Sequence, residues 1–468
     1  MAAKPELLFV APILPAPAGN GLAMRAGMFL DALAQDHAVT LLVIPVAGVL
    51  SVRRKACPGP DPGPESIVAA VLSSFRREAE SIAASDHMTD FVGARTRRVV
   101  TIALERAVDP LWTLIARITD PDARALAFTS YPRPAPCRFA TEAYRADAAA
   151  AIGSLRFDVV HVMRSYMAPY ADPFIASASA TAAPRSSLDL DDNEAATHRR
   201  LAALSQQRGD PRDARMLTAE AKNYERHEAE WLPRFGRVFT CTDAHAAQVV
   251  TAHPGTRVAV VPNTIVLPPT LSRPARATGR HLLFVGNMSY LPNVDGIAAF
   301  VRDVLPELRA RLGNDVVLRI AGSAPVPEIR ELASRPGVEL VADPPDLAPH
   351  YAWADVAVVP LSAGGGTRIK LIEAFAHGVP VVATTVGAEG VDALNGAHVL
   401  IADSTAAFVE ACAELLADPT RAARIAGAAR RLVEMRYSHA EGVRAIRAAL
   451  EADRSGQTSP RARPRGGT

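Results

Sequence analysis

Short apolar runs alternate with helical patterns along most of this 468-residue chain. The first run, ELLFVAPIL, ends near a proline and is followed by GLAMRAGMFLDALAQ, whose apolar residues recur with helical spacing, and then by VTLLVIPV. Strand, helix and strand in this order predict a parallel sheet that is covered on both faces. Similar runs recur later in the chain: FDVVHVM, VFTCT, VAVVP, HLLFVG, VVLRIAG, VELV, VAVVPL and VPVVAT. The pattern predicts a doubly wound α/β fold.

Two interruptions of this pattern predict the domain organisation. The Pro/Gly-rich turn ACPGPDPGPE opens a region rich in Ala, Arg and Leu, which predicts an inserted group of helices over about 54–150. The stretch VLPPTLSRPARATGRH gathers prolines and basic residues without periodicity, which is typical of an interdomain linker. The predicted parts are a first domain at 1–265, a second at 266–434, a terminal helix at 435–453 and a disordered tail at 454–468.

Composition agrees with an ordinary globular chain and narrows the classes of function. Hydrophobic residues make up 49% and charged residues 21%, and the length favours two hydrophobic cores over one. The net charge of +2 gives no field typical of a nucleic-acid-binding protein. Cys57, Cys137, Cys241 and Cys412 lie far apart, so neither a zinc site nor a disulfide scaffold is indicated, and a reducing compartment is expected.

The sequence also predicts no signal peptide and no membrane span. The N-terminal stretch MAAKPELLFVAPILPAP is short and interrupted by prolines, so it is interpreted as a first strand. No stretch of the chain approaches the roughly 20 apolar residues that cross a bilayer.

The segment VAVVPLSAGGGTRIKLIEAFAHGVPVVATTVGAEG carries the clearest indication of chemistry. A buried strand leads to a flexible turn made of Gly364, Gly365 and Gly366, and a helix is predicted from near Thr367 to His377. A glycine turn that opens a helix presents free backbone N–H groups and the positive end of the helix dipole. The segment therefore predicts an anion site.

Charged residues in the first turns of this helix support that interpretation. Arg368 and Lys370 would be unfavourable beside the positive end of the dipole unless an anion meets them. Glu373 lies about a turn further on and can accept a hydrogen bond from a ribose hydroxyl. The alternative is an ordinary strand–helix turn in which Glu373 only caps the helix or forms an ion pair.

The same residues resemble the family 4 (group 1) glycosyltransferases of the GT-B fold. The family's helix motif E-A-x-A-x-G-x-P-V-V-A is matched by EAFAHGVPVVA, which begins at Glu373. Further matches are PNTI at 262–265, FVG at 284–286, ADVAVVP at 354–360 and DVVH at 158–161. The resemblance covers most of residues 6–50 and 155–450 and is stronger in the second domain.

The resemblance implies two doubly wound Rossmann-like domains that face each other across a cleft, with the terminal helix crossing back to the first domain. It implies a retaining transfer of a hexose from a nucleotide-diphosphate sugar to a glycan or glycolipid acceptor, without a metal or other cofactor. It also implies polysaccharide or cell-envelope glycan biosynthesis in the cytoplasm. The residues expected to bind the sugar nucleotide are Gly19, Gly21, Gly286, Asn287, Gly364, Gly365, Gly366, Thr367 and Glu373, and those expected in catalysis are Arg368, Lys370 and His161.

Two departures from the family pattern change the expected site. The family's paired glutamates stand eight positions apart, and the position of the first is occupied here by Gly365. The loop after FVG reads NMSYLPN and lacks the family's Arg and Lys. The interpretation is that Arg368 and Lys370 have taken over the charge that holds the pyrophosphate, while backbone N–H groups of the glycine turn contact the sugar.

A second glycine turn, AGNG, separates the first strand from the first helix. Gly19 and Gly21 would let the backbone approach a ligand closely, and Arg25 on the helix could reach phosphate or acceptor. The alternative is an ordinary strand–helix turn. The turn is not a G-x-G-x-x-G dinucleotide fingerprint.

Candidate groups for the acceptor side lie in the first domain. His161 matches a family histidine that lines the acceptor side, and a buried structural histidine is the alternative. Asp189, Asp191 and Asp192 could orient an acceptor hydroxyl, or cap a helix that begins near Glu194.

Two further alternatives remain open at the level of sequence. TRRVVTIALERAVDPLWTLIARI mixes Arg with Trp112 and aliphatic residues, as an interfacial helix on anionic lipid would, or as an amphipathic helix packed on the first sheet would. The missing glutamate also leaves a non-catalytic sugar-nucleotide-binding or scaffold protein as the alternative to an enzyme.

Overall fold

The computed structural model describes residues 3–46, 86–102, 104, 108–175, 184–269 and 280–454. The chain divides into two compact units, one made of residues 1–263 and 440–468 and the other of residues 264–439. Residues 54–85 of the predicted insertion, 270–279 of the predicted linker and 455–468 of the predicted tail lie outside the described residues.

Each unit contains a parallel sheet, which confirms the predicted α/β class. The sheet of the first unit has the order β3-β2-β1-β4-β5-β6-β7 and that of the second unit β10-β9-β8-β11-β12-β13. The strands are β1 Glu6–Ala11, β2 Ala38–Val43, β3 Arg98–Thr101, β4 Val159–Met163, β5 Arg185–Asp189, β6 Arg237–Thr240, β7 Val258–Val260, β8 Arg280–Val285, β9 Val316–Gly322, β10 Val338–Ala342, β11 Val356–Val359, β12 Val381–Ala383 and β13 Leu400–Ile401.

Helices connect successive strands in both units. Those of the first unit are α1 Gly21–Ala34, α2 Asp86–Gly93, α3 Pro110–Ala116, α4 Pro121–Thr129, α5 Glu142–Ile152, α6 Ala168–Ile175, α7 Glu194–Gln207, α8 Pro211–Trp231 and α9 Asp243–Ala252. Those of the second unit are α10 Leu291–Ala299, α11 Leu305–Leu312, α12 Pro327–Leu332, α13 Ala348–Trp353, α14 Ile369–Ala376, α15 Thr405–Ala417 and α16 Pro419–Arg436. The terminal helix is α17 His439–Arg454.

The continuous apolar runs become strands because both faces of the sheet are covered. Along β1, Leu7 and Phe9 enter one apolar cluster, whereas Leu8 and Val10 enter the cluster on the opposite face. All four side chains are fully buried. A strand that is buried on both faces has no need of polar residues at alternate positions.

The start of α1 is fixed by its cap and by a close approach of the backbone. Asn20 accepts a hydrogen bond from the Leu22 N–H at the helix N-terminus. A Cβ atom at Gly27 would lie 2.3 Å from the Ala16 carbonyl oxygen, so only glycine lets the helix lie this close to the loop that leaves β1.

The terminal helix packs against the first unit. Ile446 and Ala449 are buried in the same apolar cluster as Phe29 of α1. This helix begins at His439, whereas the sequence placed its start at residue 435; Met435 lies in the preceding helix α16. Just before α17, the chain runs beside Ile265, whose carbonyl oxygen accepts a hydrogen bond from the His439 N–H at 2.8 Å.

The predicted group of helices at 54–150 contains a strand, which corrects that expectation. Residues Arg98–Thr101 form β3 and pair in parallel with β2 at the edge of the first sheet. The run from Val99 to Thr101 consists of β-branched residues, which favour a pleated conformation once a partner strand is present. Pairing with β2 therefore prevails over the surrounding helical pattern.

The stretch that resembled one interfacial helix is divided in the same way. Its helical part is α3, seven residues long, and it buries Trp112 and Ile115 against Tyr131 in a small separate apolar cluster. Leu114 on the same helix is 61% exposed. Leu111 is 44% exposed, so α3 packs one apolar side against protein and leaves two leucines accessible.

No helix among the described residues is long and apolar enough to cross a membrane. Cys137, Cys241 and Cys412 are buried free thiols, and Cys57 lies outside the described residues.

Candidate functional site

The carboxyl edge of the second sheet gathers most of the predicted site. Strand β8 lies at the centre of the sheet between β9 and β11, so the connections after β8 and β11 leave in opposite directions. Ligands of open α/β sheets bind in the crevice at such a point. Gly286 follows β8 here, and a Cβ atom on it would lie 3.0 Å from the Lys370 Nζ atom.

The glycine turn before α14 depends on conformations that favour glycine. Gly364 has φ +125° and Gly366 has φ +66°. Helix α14 begins at Ile369, two residues after the predicted start near Thr367, and Gly378 beyond its end has φ +66°. The turn therefore places backbone N–H groups and the start of α14 at this edge of the sheet.

Arg368 is placed differently from the expectation that it faces an incoming phosphate. The residue is 5% exposed, and its guanidinium donates to the Gly365 carbonyl oxygen at 2.5 Å and to the Val386 carbonyl oxygen at 3.0 Å. Glu389 lies 3.6 Å from the guanidinium. Buried carbonyl groups require donors, and in this structure Arg368 supplies them by tying the glycine turn to the segment after β12.

Lys370 has the surroundings that were expected of a phosphate ligand. Its half-buried ammonium donates to the Asn293 side-chain oxygen at 2.6 Å and lies 4.5 Å from the centre of the Phe284 ring. Among the described residues it forms no ion pair with a carboxylate. Burial and the nearby Arg368 lower the pKa of Lys370 to about 7, against the opposite effect of Glu373. An anion at this position would stabilise the charged form.

Glu373 is held by an aromatic side chain that the sequence did not single out. Its carboxylate accepts a hydrogen bond from the Tyr351 hydroxyl at 3.1 Å, and the Tyr351 ring stacks on His377 at 4.6 Å. Burial raises the pKa of Glu373, although Tyr351 and Lys370 act in the opposite direction. A tyrosine in α13 offers no sequence pattern that connects it with a carboxylate in α14, since packing alone brings them together.

The turn after β8 is organised by its own side chains. Asn287 is exposed, and its side-chain oxygen accepts hydrogen bonds from the Ser289 N–H at 2.9 Å and the Ser289 hydroxyl at 2.7 Å. Asn293 of α10, which the sequence analysis did not select, donates to the Asn287 carbonyl oxygen at 2.8 Å. Gly286 and Asn287 thus lie beside Lys370, as one site requires.

In the first unit, the predicted glycines lie at the carboxyl end of β1. Gly19 is exposed with φ +99°, and a Cβ atom on it would meet no neighbouring atom within 4 Å. Gly21 is the first residue of α1. The conformation explains glycine at position 19, while the space around it is open.

Arg25 is not available to a phosphate or an acceptor, contrary to expectation. It is 2% exposed, and its guanidinium binds both carboxylate oxygens of Asp189 at 2.7 and 2.6 Å. A further N–H group donates to the Val261 carbonyl oxygen and the Asn263 side chain, both at 2.9 Å. Asp189 is consumed in the same pair, so neither residue orients an acceptor hydroxyl in this structure.

Residues with a strained backbone follow the two neighbouring strands β4 and β5. Arg164 has φ +71° and Asp191 has φ +58°, a region that residues other than glycine seldom occupy. The Arg164 guanidinium lies 3.0 Å from a Glu194 oxygen and 3.4 Å from an Asp191 oxygen. Such strain persists only where the surroundings enforce it, and it is frequent at binding sites.

None of the three aspartates caps α7. Asn193 does so, because its side-chain oxygen accepts from the Ala196 N–H at 3.0 Å. Asp192 instead accepts from the Thr197 hydroxyl at 3.2 Å.

His161 is a buried structural residue, which corrects its assignment to catalysis. It is 1% exposed, and its ring lies between those of Phe9 and Phe29, at 5.1 and 4.6 Å. Its Nδ1 atom is 2.8 Å from the Ser187 hydroxyl. Burial, together with the charge of Arg25, lowers the pKa of His161 to about 3. A neutral imidazole enclosed in the layer between β-sheet and helix cannot reach a substrate.

The described part of the chain contains no group of three or more His, Cys, Asp or Glu side chains placed to hold a metal ion.

Part of the second unit matches a known family. Residues 279–418 match the family described as "Glycosyl transferases group 1". A GDP-mannose-dependent alpha-(1-6)-phosphatidylinositol monomannoside mannosyltransferase of Mycolicibacterium smegmatis is 38% identical over 143 residues, covering 27% of this chain and 37% of that protein. The chain therefore matches little more than a third of this relative's length.

Solved structures are similar over nearly the whole chain. Sucrose-phosphate synthase from Thermosynechococcus elongatus has a TM-score of 0.61 at 16% identity and covers 97% of this chain and 100% of its own. Anabaena HepE in complex with UDP and glucose has a TM-score of 0.53 at 12% identity, with coverage of 96% and 100%. At such identities the likeness shows the fold alone. The chain thus has the GT-B fold, and its residues 279–418 match the group 1 glycosyl transferase family.

Proposed function

We propose that this chain transfers a hexose from a nucleotide-diphosphate sugar to a hydroxyl group of a glycan or glycolipid acceptor, with retention of anomeric configuration. The observation that carries the proposal is the ammonium of Lys370. It lies half-buried beside Gly286, with a neutral amide as its hydrogen-bond acceptor, where α/β sheets bind their ligands.

In this proposal Lys370 and the glycine turn hold the diphosphate. A charge-assisted hydrogen bond of this kind contributes about 1.5–3 kcal/mol. Backbone N–H groups of residues 364–366 add donors that need no reorganisation. Arg368 shapes this turn through the Gly365 and Val386 carbonyl groups and does not bind phosphate itself.

Glu373 is proposed to accept hydrogen bonds from the ribose hydroxyls. It lies three residues after Lys370, so both side chains project from the same side of α14. Tyr351 fixes one carboxylate oxygen at 3.1 Å. The carboxylate is thereby oriented before the nucleotide arrives.

The proposed reaction takes place on one face of the sugar. The bond between the anomeric carbon and the phosphate oxygen breaks, and the acceptor oxygen bonds to the same carbon from the same side. The acceptor proton passes to the departing phosphate oxygen. Lys370 stabilises the charge that develops on the diphosphate, and the scheme uses neither an enzyme nucleophile nor a metal or other cofactor.

The acceptor side is proposed to include Asp191 and Glu194 at the carboxyl edge of the first sheet. Both side chains are slightly accessible and are held by Arg164 in a strained backbone arrangement. Carboxylate oxygens accept hydrogen bonds from sugar hydroxyls, so these groups suit a polyhydroxyl acceptor.

The names of the similar proteins support the substrate classes. The mycobacterial relative is named for GDP-mannose and a phosphatidylinositol mannoside, and HepE was solved with UDP and glucose. We further propose membership of family 4 and a role in polysaccharide or cell-envelope glycan biosynthesis in the cytoplasm, as the sequence resemblance implies. This assignment rests on analogy.

Peripheral contact with the inner face of the plasma membrane is also proposed. A groove of about 630 Å³ between α4, α7 and α8 is lined by four cationic residues and no carboxylate. The cations are Arg199, Arg215, Lys222 and Arg226. Anionic lipid attracts such a surface. Purified protein that fails to sediment with anionic vesicles at low salt would exclude this contact.

The proposed activity is tested with a panel of UDP-, GDP-, ADP- and dTDP-sugars. We expect one of them to raise the melting temperature, because a ligand that binds the folded state alone stabilises it. The same sugar nucleotide should release free nucleoside diphosphate on incubation with the protein. Binding without any release, with or without added sugar acceptors, would favour the sugar-nucleotide-binding scaffold instead.

A further inference from the structure

Asn293 lies between the two parts of the proposed diphosphate site and uses both ends of its amide. It is the third residue of α10 and is 4% exposed. Its side-chain oxygen accepts from the Lys370 ammonium at 2.6 Å, and its side-chain nitrogen donates to the Asn287 carbonyl oxygen at 2.8 Å. One side chain therefore joins the turn after β8 to the first turn of α14.

Glycine at position 286 is what allows this arrangement. A Cβ atom there would lie 2.7 Å from the Asn293 side-chain nitrogen and 3.0 Å from the Lys370 Nζ atom. Any other residue would displace one of these groups. The Lys370 ammonium thus lies directly beside the backbone at the end of β8.

The neutrality of the amide matters as much as its position. A carboxylate at this distance would form an ion pair with Lys370 and cancel the charge that a diphosphate needs. An amide oxygen orients the ammonium and leaves its charge uncompensated. Phe284 beneath the ammonium offers the negative face of its ring at 4.5 Å, which is also a neutral contact.

We infer that Asn293 is a positioning residue, which holds Lys370 as an unneutralised cation against the Gly286–Asn287 turn so that it meets the diphosphate of the donor. The inference rests on the proposed function, because it names the residue that prepares the same site. It also gives a role to the NMSYLPN loop, which lacks the family's Arg and Lys. The last residue of this loop is Asn293, whose amide orients Lys370 from helix α14.

The test uses the isosteric variant Asn293→Asp, with UDP, GDP, ADP, dTDP and inorganic pyrophosphate as probes in isothermal titration calorimetry. We expect the affinity for the probe that binds best to fall by about ten- to hundredfold, since the charge-assisted bond is lost. The melting temperature without ligand should change little, because the ion pair gained with Lys370 offsets the hydrogen bond lost to the Asn287 carbonyl oxygen. Asn293→Ala should lose about three- to tenfold in affinity by leaving the ammonium unanchored.

Two controls separate positioning from other effects. Asn314→Asp adds the same charge at an exposed position just before β9, at the opposite edge of the sheet, and should leave affinity unchanged. In a Lys370→Met background, Asn293→Asp should lose most of its effect. A full additional loss there would mean direct repulsion of the phosphate, and the positioning role would be wrong.

The two proposals fail in different ways. If the wild-type protein binds none of these five probes, the diphosphate site itself is misplaced and the proposed function fails with it. If the wild type binds and Asn293→Asp binds equally well, the site stands and the role of Asn293 is refuted. Because the aspartate has the size and shape of asparagine, this outcome does not depend on whether the alanine variant folds.

Discussion

Arg368 and Lys370 stand two positions apart in the sequence and have opposite surroundings. Arg368 donates to two backbone carbonyl groups and lies near Glu389, whereas Lys370 contacts one neutral amide and one ring. Residues two apart at the start of a helix point to roughly opposite sides. The sequence could therefore predict a cation at this site but not which of the two residues faces the ligand.

Replacing Arg368 is expected to affect stability first. Arg368→Ala leaves two carbonyl groups without their donor, which should lower the free energy of unfolding by about 2–3 kcal/mol in urea denaturation. Arg368→Lys should recover little, because an ammonium lacks the planar fork that reaches both carbonyl groups. If Arg368→Ala has wild-type stability and a large loss of donor affinity, Arg368 binds the phosphate and this prediction is wrong.

Other residue assignments failed for a related reason. The family resemblance implied an acceptor-side role for His161, and Arg25 was expected to reach phosphate or acceptor, yet both are buried and bonded within the first unit. The burial of a side chain and its hydrogen-bond partners depend on tertiary packing, so a sequence motif alone does not reveal them. By contrast, the glycines with positive φ at 19, 364 and 366 could be predicted, because few other residues adopt that conformation.

At the scale of elements, the strand–glycine turn–helix unit formed by β11, residues 360–368 and α14 is the part that sequence described best. Its turn combines the left-handed conformations of Gly364 and Gly366 with the Arg368 side chain that packs on Gly364. A Cβ atom at Gly364 would lie 3.1 Å from the Arg368 Nη1 atom. The turn and its supporting arginine form one structure.

Gly364→Ala should therefore damage both the fold and the site. Strain at φ +125° and crowding of Arg368 predict a loss of roughly 1–3 kcal/mol in unfolding free energy, with weaker binding of nucleoside diphosphate. The matched control is Gly427→Ala in α16, where the nearest atom is 3.6 Å away and φ is not positive. There we expect a gain of about 0.5–1 kcal/mol. Equal effects of the two substitutions would contradict this description of the turn.

Sequence patterns predicted the buried strands more reliably than the edge of the sheet. The apolar runs at β1, β4, β8 and β11 are buried on both faces. Burial on both faces accounts for their continuous apolar sequence. β3 at the sheet edge is largely exposed. Its short run of β-branched residues lies within a stretch whose sequence pattern predicts helices. Its pairing with β2 is a tertiary interaction, which local propensity cannot contain.

At the scale of the whole molecule, the two sheets repeat one topology. Each begins at a central strand, extends to one side for two strands and then continues on the other side. Each therefore has one central point where its connections diverge, and the proposed donor and acceptor groups lie at the carboxyl edges of their sheets. The repeated order is what gives a 468-residue chain two candidate binding edges.

The central claim is that Lys370 holds the diphosphate and Glu373 the ribose, and calorimetry on two variants tests it most directly. Lys370→Met should lower the affinity for both inorganic pyrophosphate and the preferred nucleoside diphosphate by about ten- to hundredfold. Glu373→Gln should lower the affinity for the nucleoside diphosphate and leave the affinity for pyrophosphate unchanged. If Lys370→Met binds both ligands as tightly as the wild type, the diphosphate does not lie at this edge of the sheet and the account is wrong.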